Sequence, residues 1–318
     1  MTDQFSTTVS DTAPRMKEGT YAIGIDLGGT KIIGGLADCG GHLLAELTEP
    51  TENGPDAPVL QQIVRLSERL ASLAGIALKD VAGMVIGIPS AVSPDTGLAS
   101  LSPNLCLPED QPLQTLLEQA LPFPVTVEND VNLSAFGEAQ ARPPKDRQSL
   151  VFASFGTGVG MGIVIEGKIV RGAFGRAGEI AYLPFGSDPH AGAEVNPDGL
   201  FEAVVGTAGI RQRFARGGET VADIFARAAR GEQDALNAIE ETARTASIGI
   251  ASVLTLIDPQ LIVIGGGIGS QAVFQDKLRA YTQRLLPFPI RMEPSRYSAK
   301  AGLMGATALA VDLLQRVR

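Results

Sequence analysis

The run Glu128-Asn129-Asp130-Val131-Asn132 holds residue types suited to moving a proton. Val125 to Val127 reads as a short strand, and a helix pattern follows directly, so Asp130 stands at a strand-to-helix junction. The positive end of a helix favours a carboxylate there, and Asp130 is expected to stay ionised at neutral pH. An ionised carboxylate can accept the proton of an attacking hydroxyl, and the Asn129 amide can fix a neighbouring one. Asp and Asn are also ordinary N-caps, and taken alone the run carries that plainer reading best.

Two glycine loops have the composition to hold phosphate. The first is Asp26-Leu27-Gly28-Gly29-Thr30-Lys31. Its glycines let the backbone approach an anion and point amides at it, and Thr30 adds a hydroxyl donor. Asp26, at a strand end, can orient Mg²⁺ through water, since Mg²⁺ takes oxygen ligands and keeps some of its waters. The second is Gly156-Thr157-Gly158-Val159-Gly160. One such loop is as readily a plain hairpin. Two of them, each between strands, can grip a nucleotide phosphate chain from both sides without a Walker lysine. A third stretch, Leu261 to Ile264, is a buried strand running into Gly265-Gly266-Gly267. It leaves room for a flat ring and reads as the wall of an adenosine site, or as a turn demanded by packing alone.

These residues need elements to carry them. YAIGIDLGGTKIIGGLADCGGHLLAEL reads as strand, Gly turn, strand, Gly turn, strand. SLVFASFGTGVGMGIVIEGKIVRG repeats that order, so the chain contains an internal repeat of supersecondary structure. Val59, Ile63, Leu66, Leu70 and Leu73 recur at helical spacing, and Gly83 to Ile88 reads as a buried strand ended by Pro89. Helical stretches are expected around Gly206 to Arg216, Val221 to Arg230 and Asp234 to Leu256, with a closing helix over Leu303 to Val317. The lobe boundary is expected within Ala141 to Arg147. That gives a loose tail over 1–19, an N-terminal lobe over 20–140 plus 303–318, and a C-terminal lobe over 141–302.

Composition narrows the class. The 318 residues suffice for two cores, and the net charge of -9 disfavours nucleic acid, whose binding needs Lys and Arg. Two cysteines, Cys39 and Cys106, make no disulfide framework and point to a reducing, cytoplasmic setting. The most apolar stretch, Ile248 to Ile268, is interrupted by Asp258 and Pro259, so no membrane span is expected.

IGIDLGGTK, PVTVENDVN, the GTGVG unit, AGEIAY and the strand ending in GGG occur in that order. Together they resemble the ROK family of sugar kinases and sugar-responsive repressors, over about Tyr21 to Leu314. The resemblance implies an α/β, two-lobed, actin-like ATPase (ribonuclease H-like) fold, with a mixed sheet in each lobe and a cleft for Mg-ATP and a sugar. It implies Asp130 as catalytic base and sugar contacts from Asn104, Asn129, Glu179 and Glu202. It also suggests a homodimer. The family usually continues Gly-Glu-Ile-Gly-His and then a Cys-rich zinc module. Here Gly178-Glu179-Ile180-Ala181-Tyr182 stands in that place, and Ser187 to Glu202 offers no cysteine and only His190, expected in a surface loop. No structural zinc is therefore expected, because tetrahedral zinc takes four ligands, mostly N or S. Tyr182 either replaces the lost imidazole at the sugar or simply packs.

The activity expected is transfer of the γ-phosphoryl group of ATP to a sugar hydroxyl, O6 of an aldohexose such as glucose. A repressor is the weaker rival, since some twenty polar residues precede the first strand, too few for a helix-turn-helix domain. An ATPase of the same fold, or an inactive sugar-binding relative, is the stronger one.

Overall fold

The computed structural model describes residues 20–101, 105–108 and 110–316. The expected tail over 1–19 and the residue Asn104 lie outside the described residues. The first half of the chain runs β1 (Tyr21–Leu27), β2 (Lys31–Asp38), β3 (Leu43–Pro50), α1 (Val59–Leu73), β4 (Val81–Ile88), β5 (Ala91–Val92), β6 (Ala99–Ser100), α2 (Leu113–Glu118), β7 (Val125–Asn129) and α3 (Asp130–Gln140). The second half starts with β8 (Ser149–Phe155), β9 (Val159–Ile165) and β10 (Lys168–Ile169). There follow α4 (Pro189–Val195), α5 (Glu202–Val205), α6 (Thr207–Phe214), α7 (Val221–Ala229) and α8 (Gln233–Ile257). The chain closes with β11 (Leu261–Gly265), α9 (Gly266–Gly269), α10 (Ala272–Leu285), β12 (Met292–Pro294) and α11 (Ala301–Arg316).

Two five-stranded mixed sheets result, ordered β3-β2-β1-β4-β7 and β10-β9-β8-β11-β12. In each, an antiparallel strand-turn-strand unit adjoins parallel strands: β1 with β4 and β4 with β7, then β8 with β11 and β11 with β12. The expected repeat is thus one sheet built twice. Strands buried on both faces explain the near-continuous apolar runs. Ile23, Ile25 and Leu27 pack with Ile63, Leu66 and Leu70 of α1, while Ala22 belongs to a separate core on the opposite face.

That opposite core joins the halves. Leu133 and Phe136 of α3, Leu150 and Phe152 of β8, Leu261 and Val263 of β11, and Ala306 and Leu309 of α11 share it. Each of the two helices leaves one sheet and packs on the other: α3 follows β7 yet lies on β8 and β9, and α11 follows β12 yet lies on β1 and β4. They cross backbone to backbone. A Cβ on Gly305 would stand 1.8 Å from the Leu133 carbonyl oxygen, and one on Gly137 would stand 2.7 Å from the Gly305 nitrogen. Close by, the buried Glu138 accepts from Arg142 Nη1 at 2.6 Å and from the Arg296 N–H at 2.8 Å, fastening α3 to the segment that enters α11.

The helix expected over Val59 to Leu73 forms over those residues, and the later ones agree within a few positions. His190 differs from expectation: it is exposed but sits in α4, not in a loop. Asp188 caps that helix by accepting from the Ala191 N–H at 3.1 Å, and Pro189 occupies its first turn.

Candidate active site

The carboxyl ends of parallel strands from both sheets supply the residues singled out in the sequence. Asp26 precedes the last residue of β1, Asn129 ends β7 and Asp130 opens α3, the Gly156 loop follows β8, and Gly265 ends β11. Outside strand ends of this kind the chain can turn and present polar groups into a crevice, which is where α/β sheets bind ligands.

A cavity of about 220 Å³ lies there, lined by Asn129, Asp130, Glu179, Tyr182, Glu202 and Gly158 among others. Ligand sites for drug-sized molecules run to roughly 300–1,000 Å³, so this one has room for a small ring and not for a nucleotide as well. None of Gly28, Gly29, Thr30 and Lys31 lines it, nor do Thr157 and the triglycine turn. Those segments flank it. Gly28 N–H donates to the Lys31 carbonyl at 2.9 Å, closing the first loop, whose Thr30 and Lys31 are exposed. In the second loop the Gly156 carbonyl accepts from Thr207 Oγ1 at 2.8 Å, and a Cβ on Gly156 would lie 3.5 Å from Gly267 N. The Gly156 loop and the Gly265-Gly266-Gly267 turn therefore form one shelf, with Gly267 open to solvent.

Asn129 is the N-cap of α3: its Oδ1 accepts from the Val131 and Asn132 N–H groups, each at 3.0 Å. Its Nδ2 donates to the Ser90 carbonyl at 3.3 Å. With capping done by Asn129, Asp130 is free to point into the cavity while its Oδ1 accepts from the Val131 N–H at 2.8 Å.

The ionisation expected of Asp130 needs correction. Burial pushes its pKa up to about 7, with Asp26 and Glu179 adding like-charge repulsion. Desolvation and two neighbouring carboxylates outweigh the hydrogen bond from Val131 and the helix end. Asp26 is raised in turn to about 6 by burial, against the opposing pull of Lys31. Glu179 is raised by burial and by Glu202, and Glu202 by burial and by Asp198, although the Val159 N–H donates to Glu202 Oε2 at 2.8 Å. Four acids, Asp26, Asp130, Glu179 and Glu202, are thus each lifted by enclosure, three of them also by the charge of a neighbour.

Tyr182 lines the cavity and is 44% exposed, so its ring is not simply packed. Its phenol is raised by partial burial and by Glu179, Asp198 and Glu202. Sequence reasoning missed Ser90, Ser154 and Asp198, which line the same cavity. Ser90 follows Pro89 at the end of β4, a position the strand-end rule identifies. Asp198 lies in a loop without periodicity and gave no signal.

The donor set fits Mg²⁺: Asp26 offers a carboxylate that burial leaves short of countercharge. Among the described residues no three His, Cys, Asp or Glu side chains gather as a metal cage. An ion that keeps waters and shares phosphate oxygens needs no such cage. The Gly156–Gly267 shelf presents peptide groups bare of side chains.

The family model "ROK family" matches residues 22–313. The chain belongs to the ROK family. It is 31% identical over 295 residues to the N-acetylmannosamine kinase of Salmonella heidelberg, spanning 91% of this chain and 97% of that one. The ROK hexokinase from Thermus thermophilus superposes with a TM-score of 0.77 at 28% identity, covering 93% of this chain and 99% of that one. A ROK family glucokinase from Streptomyces griseus, in complex with glucose and AMPPNP, gives 0.76 at 26% identity, covering 92% and 99%. The fold is accordingly the actin-like ATPase fold of these kinases, with a mixed sheet in each half.

Proposed function

We propose that this ROK protein is an ATP-dependent sugar kinase that phosphorylates a hydroxyl, O6, of an aldohexose or of its N-acetylated amino derivative. The observation that carries the reading is Asp130: a carboxylate at the floor of a ring-sized cavity, with a pKa of about 7, poised to exchange a proton near neutral pH. Glucose and N-acetylmannosamine are the first two substrates to test, since similar proteins bear both names.

Asp130 accepts the proton of the attacking hydroxyl. Asn129, Glu179, Glu202, Tyr182 and, by the resemblance, Asn104 hold the ring so that this hydroxyl faces the carboxylate. Carboxylates accept from several hydroxyls at once, which suits a polyhydroxylated neutral ligand. Gly28, Gly29, Thr30 and Lys31 on one side, and Gly156, Thr157 and Gly158 on the other, bind the phosphate chain. Gly265, Gly266 and Gly267 flank the adenosine. Asp26 would hold Mg²⁺ through water, and the ion, when bound, would supply neutralisation of phosphate charge; in a loose phosphoryl-transfer transition state positioning and electrostatics do most of the catalysis.

The experiment is a coupled ADP-release screen over a sugar panel with Mg-ATP and a D130A control. ATP turnover indifferent to every sugar would favour the ATPase reading, and no turnover with intact sugar binding would favour an inactive relative.

A further inference from the structure

The loop between β10 and the Glu179 turn carries Arg171 to the strand that precedes Asp130 and Glu179 to the cavity that Asp130 lines. Arg171 opens it. Arg171 Nε donates to Glu128 Oε2 at 2.5 Å. Glu128 is buried on β7, two residues before Asp130, and its other oxygen accepts from the Asn129 N–H and from Asn132 Nδ2, each at 3.0 Å. Both oxygens are therefore committed, one to the first turn of α3 and one to Arg171. Glu179 closes the loop and lines the cavity with Asp130, close enough to raise its pKa.

The loop itself has little freedom. Its Ala177 N–H donates to the Arg171 carbonyl at 3.1 Å. A Cβ on Gly175 would stand 2.0 Å from the Val92 carbonyl oxygen, and one on Gly178 would stand 2.0 Å from that of Met161. The loop is wedged between β5 of one half and β9 of the other. Arg171 does not line the sugar-sized cavity; with Glu128 it lines another, beside Val92, Thr126 and Gln114. A buried carboxylate needs a countercharge, and breaking such a pair is felt by everything hydrogen-bonded to it.

We propose that Arg171 is a positioning residue: through Glu128 it locks the first turn of α3 to the loop ending in Glu179, and so sets the gap between the Asp130 and Glu179 carboxylates. It touches neither substrate. The proposal rests on the roles given above to Asp130 and Glu179. A hydroxyl held between two carboxylates is sensitive to their separation, because displacement by about 1 Å can cost on the order of 10²-fold in rate.

R171A and R171K test it by steady-state kinetics, thermal melting and crystal structures. R171A is expected to lower kcat about 10- to 100-fold while KM for ATP holds, with R171K recovering part of the loss. Its crystal structure is expected to show an altered Asp130–Glu179 gap in a folded protein. An unchanged gap overturns the proposal whatever the rate, as does a loss that merely follows the unfolded fraction with R171K no better than R171A. If the wild type phosphorylates no sugar, the functional reading fails, while the comparison of gaps still decides this inference.

Discussion

Gly302, in the first turn of α11, lies directly against the Asp26 carboxylate: a Cβ on it would stand 2.6 Å from both Cγ and Oδ2. No side chain fits there without displacing the acid. G302A is expected to raise the Mg²⁺ concentration needed for half-maximal rate about 10-fold or more, the scale of disturbing a metal-site support, while sugar KM changes little. Titrating Mg²⁺ at saturating ATP and sugar checks this, and an unchanged Mg²⁺ dependence would detach Asp26 from the metal.

D130A is expected to lower kcat by about 10² to 10⁴ on a sugar substrate. In the wild type, kcat/KM should rise with pH and level off above about 7, because the folded pKa is raised and the base works only unprotonated. E179Q removes one like charge, so the acidic limb should move to lower pH as well as the rate falling. A pH profile flat from 5 to 8 would exclude Asp130 as the base.

The same shift bears on stability. A carboxylate whose pKa is raised on folding binds its proton more tightly in the native state. Native stability is therefore lost as pH climbs from about 4 to about 7. D130N carries no charge to desolvate and should melt higher than the wild type above pH 7, by roughly 2–4 °C for each kcal/mol relieved, while losing activity. Calorimetry at pH 5 and pH 8 gives the comparison, with the larger difference expected at pH 8.

Glu138 should prove structural. Replacing it with Ala takes the nearer carboxylate from the buried Arg142, leaving Glu293 at 3.5 Å, and strips the acceptor from the Arg296 N–H. A loss of about 3–5 kcal/mol is expected, enough to unfold a marginal protein. Chemical denaturation of E138A and E138Q measures it, and E138Q should fall between E138A and the wild type.

Metal analysis of the purified protein is expected to find no stoichiometric zinc. The segment over 187–202, which holds only His190 among the usual soft ligands, is tied down by the Asp188 cap and by the Phe201 N–H donating to the Ala181 carbonyl at 3.0 Å. Tightly bound zinc at one equivalent would show that another donor set exists.

Periodicity made α1 legible because Val59, Ile63, Leu66 and Leu70 are all apolar and all buried. It concealed α10, whose inner face includes Gln275 and Thr282 beside Phe274 and Leu278, so no clean stripe shows. The strand ends with their glycines and acids could be read one by one; Asn129, Asp130 and Gly158 line one cavity, while Gly28 to Lys31, Thr157 and the triglycine turn lie outside its lining. What the sequence does not display is depth. Asp130 reads as an ionised residue at a helix start until the crowding by Asp26 and Glu179, far away in the chain, is taken into account. Asn129 and Asp130 are equally good caps on paper, and only the hydrogen bonds separate the one that caps from the one that faces the cavity.

Where α3 and α11 touch through Gly137 and Gly305, the thickness of the contact is that of two peptide chains. Since each helix is seated on the sheet opposite to the one it leaves, the spacing of the axes is also the spacing of the sheets. Where these helices cross, the separation of the halves is thus held by two positions that have no side chain to vary. A single methyl at either would wedge the halves apart and carry the strand tips, with every group they present, out of reach of one another.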